Sequence, residues 1–195
     1  MTHVLYLHGF LSSPQSVKAQ ATQAWFEANR PEVKLHIPQL SNSPGKVKDQ
    51  LLTLLDSQPA LRSGGLKVIG SSMGGFLATW LVESFGGHAV LVNPAVAPYE
   101  LLQNFLGQHV NPYTGERFEL VADDMQFLRE LDSPSLARPD AYRVMLQTGD
   151  ETLDYRQASH KYAASALVIE EGGDHSFTNF ASHLPDIADF LLSAD

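Results

Sequence analysis

Six short runs rich in apolar and β-branched residues recur along the chain, at positions 3–7, 33–37, 66–69, 88–92, 142–147 and 166–169. Most are continuous rather than alternating, the pattern of strands buried on both faces. Between them the apolar positions fall at helical spacing. Ala19, Ala24, Trp25 and Phe26 mark a first helix. Ser13-Pro14 is its expected start: a capping serine, then a proline whose fixed φ and missing N–H suit the first helical position. That helix stops near Arg30-Pro31. Ser43-Pro44 opens a second by the same device, with Leu51, Leu52, Leu54 and Leu55 as its apolar face. A third covers 75–84, and a last runs from about 176 to 192, with a break expected at Pro185. Alternating strand and helix predict an α/β protein: a mostly parallel six-stranded sheet with helices on both faces, in three layers.

One stretch breaks the alternation. Residues 94–139 are too long for a simple crossover. Leu101, Leu102, Phe105 and Leu106 share one helical face, and Val121, Met125, Leu128 and Leu131 share another. Asn111-Pro112-Tyr113-Thr114-Gly115 reads as a turn between them. Such helices can merely cover a sheet. The expectation here is a small helical cap, inserted at about 95–139 into a single domain that spans 1–195.

Composition narrows the class. The chain has 195 residues, enough for one domain with a substantial core. No run of about eighteen apolar residues occurs, so no membrane span is expected. The first residues lack a basic region and a cleavage site, and read as a strand rather than a signal peptide. There is no cysteine, which excludes disulfides and thiolate chemistry and fits a cytoplasmic location. Thirteen basic against twenty-two acidic residues give a net charge of −9, with no electrostatic footprint for nucleic acid or anionic membrane. The bland explanation of that acidity is solubility. Oligomeric state is not legible.

The chemistry centres on Gly70-Ser71-Ser72-Met73-Gly74. It is G-x-S-x-G between an apolar strand and a helix, the context in which a sharp turn exposes a serine at a sheet end. Glycine-rich turns before helices also bind phosphate. Here no Gly-Lys-Ser/Thr and no G-x-G-x-x-G is present. Ser72 is therefore the candidate nucleophile, and it needs a base and an anion to orient that base.

Chain order places the acid after a late strand and the histidine after the next. His175 is the expected base, in the loop Gly172-Gly173-Asp174-His175. The competing role for it is a helix cap or surface histidine. His183 reads as a surface position of the last helix. His3, His36, His88, His109 and His160 carry no motif. Asp150, in Gln147-Thr148-Gly149-Asp150-Glu151, is the expected acid, with Glu151 and Asp154 as rivals. Asp174 adjoins the histidine and is expected to point elsewhere.

His8-Gly9-Phe10 follows the first strand. The main-chain N–H groups of Phe10 and Met73 are the expected oxyanion donors, and His8 is expected to shape the loop by hydrogen bonding. Leu11, Tyr99, Leu102, Phe105 and Met125 are the expected pocket residues, suited to short or medium acyl chains. No metal motif occurs: Asp123-Asp124 reads as a solvated helix face, and no cofactor is expected.

With these residues in view, the sequence resembles the α/β-hydrolase superfamily. More closely it resembles the small bacterial YqiA-type esterases, a family formerly uncharacterised. The resemblance spans nearly the whole chain. Its most specific segments are Asn93-Pro94-Ala95-Val96 and Asn111-Pro112-Tyr113-Thr114-Gly115. Leu11, where the family pattern has a polar residue, and Met73, in place of leucine, depart from it. The resemblance implies a serine esterase with a triad at Ser72, Asp150 and His175, acting on a small-molecule ester or thioester. An amidase or acyltransferase with the same triad, and a binding protein on a hydrolase fold, are the alternatives.

Overall fold

The computed structural model describes residues 1–193. Its strands are β1 (Thr2–Leu7), β2 (Val33–His36), β3 (Leu66–Ser71), β4 (Gly87–Val92), β5 (Gly107–Val110), β6 (Arg117–Leu120), β7 (Tyr142–Gln147) and β8 (Ala166–Glu170). Its helices are α1 (Val17–Asn29), α2 (Pro44–Ser57), α3 (Met73–Phe85), α4 (Pro98–Leu102), α5 (Ala122–Glu130), α6 (Tyr155–Lys161) and α7 (Leu184–Leu192). Six strands form one sheet in the order β2-β1-β3-β4-β7-β8, and every neighbouring pair is parallel. The chain moves outward from β1 to β2 on one side, then from β3 to β8 on the other. The switch lies between β1 and β3, where the connections diverge and leave a crevice at the strands' carboxyl ends.

The strands are apolar on both faces because helices cover both. Leu5, Leu7, Val68, Leu91, Val144 and Leu146 pack with α2, α3 and α6. Val4, Tyr6, Ile69, Val90, Val92 and Met145 pack with α1 and α7. This is the three-layer α/β-hydrolase arrangement. No helix among the described residues is long and apolar enough to cross a membrane.

Three expectations need correction. Helix α1 starts three residues later than Ser13-Pro14 suggests, with Ser16 in the capping position. Ser13 instead closes a turn: its Oγ accepts the Gln15 N–H, and its carbonyl accepts the Ser16 N–H. The last helix does not begin at Ser176. Phe177 and Asn179 both sit at φ 64°, which no right-handed helix can contain. A 3₁₀ turn at Phe180–His183 follows, and Pro185 then lies in the first turn of α7 rather than breaking it. His183 is not a bare surface position: it pairs with Glu170 at 3.0 Å and meets Phe177 edge-on.

The insertion is the third. Its first amphipathic piece shrinks to α4 and a 3₁₀ turn; Phe105 and Leu106 are about half exposed. An antiparallel hairpin of β5 and β6 follows, closed by the Asn111–Gly115 turn. The sequence hides this hairpin because both strands are short and only Leu120 among their residues is buried, so no apolar stripe marks them. The second piece is α5, with Met125 and Leu128 buried and Val121 exposed at its start. Asp124 is no solvated face. It is buried, accepting the Val121 N–H at its own helix start and the Gly45 N–H of α2. The insertion thereby belongs to the α2–α3 side of the sheet.

Helix α3 crosses so close to the end of β1 that a Cβ on Gly74 would lie 2.0 Å from the Leu7 carbonyl oxygen. Gly74→Ala should lower the unfolding free energy in urea by about 2–3 kcal/mol despite alanine's better helix propensity. Unchanged stability would show that α3 can move off β1 at no cost.

Candidate active site

Ser72 joins β3 to α3 at φ 56°, ψ −120°, a backbone region that non-glycine residues rarely occupy. The strain is held by its neighbours. Its N–H donates to the Val92 carbonyl, and its own carbonyl accepts from Gly75 and Ala95. The side chain is thus lifted out of the sheet at the carboxyl ends of the strands.

His175 reaches it from the β8–α7 loop, with Nε2 at 3.0 Å from Ser72 Oγ. On the other ring nitrogen, Nδ1 lies 2.8 Å from Asp150 Oδ2 and 3.0 Å from Oδ1. An ionised carboxylate can only accept, so Nδ1 carries the proton. In the neutral ring Nε2 is then an acceptor facing the serine hydroxyl. The Asp150 side chain is 3% exposed. Burial pushes its carboxyl up, but the His175 hydrogen bond and the Leu153 and Thr152 N–H groups outweigh this and leave it below its usual value. It is an anion that faces the imidazole.

The two rivals for that place have other work. Asp154 caps α6, accepting from the Arg156 N–H and guanidinium. Glu151 accepts the His175 main-chain N–H at 2.9 Å, which fixes the loop rather than the ring. Gly149 brings the acid loop against the histidine loop: a Cβ there would lie 2.5 Å from the Gly173 carbonyl oxygen.

Two further residues hold these loops in register. Asn93, at φ 40° just past β4, accepts the Gln147 N–H with Oδ1. With Nδ2 it donates to the carbonyls of Asp174 and His175. Gln147, the last residue of β7, is 3% exposed. Its Oε1 accepts from Asp174 and Thr178, and its Nε2 donates to Glu170 and Thr178. Sequence reasoning assigned neither a role. The signal for Asn93 was an asparagine at a strand end before proline, since asparagine tolerates positive φ; Gln147 left none.

The β1–α1 loop completes the site. His8 is buried, bonding the Gly9 carbonyl through Nδ1 and accepting the Leu40 N–H at Nε2. Burial lowers its pKa, partly offset by the Gly9 bond, so the ring is a neutral brace as expected. The N–H of Met73 opens α3 and that of Phe10 lies in the loop. Neither has a protein acceptor among the described residues. Phe10 is held edge-on by Phe118 and His109 of the hairpin, and Asn111 Nδ2 donates to the Ser12 carbonyl.

A groove of about 520 Å³ opens beside Ser72, between this loop and the 175–181 segment. None of Leu11, Tyr99, Leu102, Phe105 and Met125 lines it. Leu102 and Met125 are core residues on the α2–α3 side, and Tyr99 is tied to Asp132 at 2.8 Å. Phe105 is half exposed, and Leu11 borders a separate cavity of only about 20 Å³. Only Tyr113, at the hairpin turn, reaches the groove from the insertion. The reason is the layer: the insertion docks on α2, whereas the groove opens over α1 and the α7 approach.

Because the native Asp150 carboxyl is more acidic than in the unfolded chain, its ionised form stabilises the fold. That contribution is present above the unfolded value of about 3.9 and is lost as pH falls through the lowered native value. The stability gap between wild type and Asp150→Asn in urea should therefore narrow from about pH 5.5 to about pH 3. A gap that widens in acid would mean that the carboxyl is not held ionised.

Several solved structures share this architecture. Est1E from Butyrivibrio proteoclasticus, with ferulic acid bound, superposes with a TM-score of 0.68 at 14% identity, covering 100% of this chain and 89% of its own. Alpha/beta hydrolase domain-containing protein 10 from mouse gives 0.68 at 16%, covering 99% and 90%. The esterase domain of a Rhodothermus marinus protein gives 0.67 at 15%, covering 99% and 85%. At such identities the likeness is one of fold. Residues 3–192 match the profile of an uncharacterised protein family, UPF0227, and the chain belongs to that family, on the α/β-hydrolase fold.

Proposed function

We propose that the protein is a serine esterase, with Ser72 as nucleophile, His175 as general base and acid, and Asp150 as the anion that orients the imidazole. The observation that carries this is the continuous line Ser72 Oγ, His175 Nε2, His175 Nδ1, Asp150 at hydrogen-bond distances. As Oγ attacks the ester carbonyl, its proton passes to Nε2, and Asp150 stabilises the imidazolium. The carbonyl oxygen becomes an oxyanion between the N–H groups of Met73 and Phe10, worth about 3–4 kcal/mol per donor in comparable sites. Nε2 then gives the proton to the leaving oxygen as the C–O bond breaks, and the acyl group stays on Ser72. Water, deprotonated by the same nitrogen, attacks the acyl-enzyme. The acid leaves and Oγ regains its proton.

Carboxylic esters are the substrate class, and thioesters react by the same steps with a sulfur leaving group. No step calls on a metal or cofactor.

A fluorophosphonate probe should label Ser72 in the folded protein, and Ser72→Ala should abolish both labelling and turnover of a short-chain nitrophenyl ester. An unlabelled Ser72 would leave a binding protein on this fold. Matched ester and amide substrates should differ strongly in favour of the ester; parity would make the enzyme an amidase. Asp150→Asn should cost about 10⁴-fold in kcat. Asp154→Asn should leave kcat near wild type while loosening the α6 start. A loss at Asp154 equal to that at Asp150 would move the acid there.

A further inference from the structure

The groove beside Ser72 holds polar groups that ester hydrolysis itself leaves unused. We infer that this groove receives the alcohol half of the ester, and that Lys18 and Tyr6 select alcohols bearing a carboxylate or phosphate group. This rests on Ser72 being the nucleophile, as proposed above.

The side of the site follows from the proton. His175 Nε2 must hand its proton to the leaving oxygen, so the alcohol departs on the histidine's side of Ser72. The groove is on that side: His175, Ser176 and Phe177 form part of its wall. Lys18 is the one lysine or arginine among its lining residues. Lys18 Nζ donates to the carbonyl of Ser176 at 2.8 Å, which anchors the ammonium one residue from the base. An ammonium has three N–H groups, so two remain for a ligand. Burial lowers its pKa below the usual lysine value, and the fields of Asp174 and Asp150 offset this only in part.

Tyr6 is the second, independent observation. It stands near the end of β1, is 1% exposed, and lines the same groove. Its hydroxyl has no protein hydrogen-bond partner among the described residues, and burial raises its pKa, so it remains a neutral O–H. The hydroxyl is not sealed from solvent, so water pairs with it in the free protein and a ligand oxygen can take that water's place. An oxyanion suits both groups, because it accepts from an O–H and pairs with an ammonium. The first turn of α1, Val17 and Lys18, borders the groove with the positive end of the helix. A chain of net charge −9 does not attract anions in general, so such recognition has to be local.

The competing role for Lys18 is a simple tether for the histidine loop. The two are separated with butyrate esters of three phenols: 4-hydroxyphenylacetate, 4-hydroxyphenyl phosphate and neutral 4-hydroxyphenylacetamide. In Lys18→Met, kcat/KM for at least one anionic ester should fall about tenfold or more beyond the fall for the neutral one. Whichever ester falls identifies carboxylate or phosphate. Tyr6→Phe, which keeps the packing, should shift the same ratio in the same direction by a smaller factor. Equal losses on all three esters in both variants would make Lys18 a tether and overturn the inference. So would a selective loss only on an ester with its carboxylate on the acyl half, such as a nitrophenyl hemiglutarate. Fluorophosphonate labelling of Ser72, run alongside, distinguishes the failures. No label in wild type removes the esterase itself; normal labelling with equal losses removes only the anion site.

Discussion

The 3.0 Å contact between His175 and Ser72 joins residues 103 positions apart, and nothing local to either residue sets it. It exists because three strand ends are locked to one another. Asn93 bridges β4, β7 and the histidine loop with a single amide, and Gln147 does the same from β7 with all of its polar atoms engaged. Both are almost fully buried, so water cannot replace these bonds when they break. The hydrogen-bonded line at the surface is therefore only as well placed as a polar network beneath it.

A second network supports the opposite side. His8 ties the β1–α1 loop to Leu40, and the insertion braces the same loop through Asn111 and the Phe118–His109 pair. Asn111 is completely buried and also bonds Asn42, whose own amide reaches Glu116. The insertion thus does more for the loop carrying Phe10 than for the groove. Its apolar residues fill the space over α2, and only its turn approaches Ser72.

Much of the fold was legible because buried parallel strands are continuous apolar runs, and all six were found in the sequence. The meeting of Ser72, His175 and Asp150 was legible for a different reason. A sharp strand-to-helix turn needs glycines at fixed offsets, and the loops that carry Asp150 and His175 follow the order of strands. What escaped was the part with no periodicity or fixed spacing. The β5–β6 hairpin is too exposed to show a stripe. The start of α7 depends on two residues at positive φ, which sequence pattern does not flag. The expected pocket residues were apolar and near the site in sequence order, but apolar character alone does not say on which side of a sheet a residue lands.

The sequence by itself determined an α/β sheet, the sharp turn that displays Ser72, and the types of residue available to act with it. Periodicity and turn chemistry are local, so they can be read along one chain. Only the tertiary structure decided that Asp150 rather than Asp154 faces the imidazole, and that Asn93 and Gln147 hold the loops. It also decided that Lys18 and Tyr6 line the groove, to which the insertion adds only Tyr113. Those outcomes depend on how layers pack and which strand ends meet, and contacts between distant segments leave no regular mark in the order of residues.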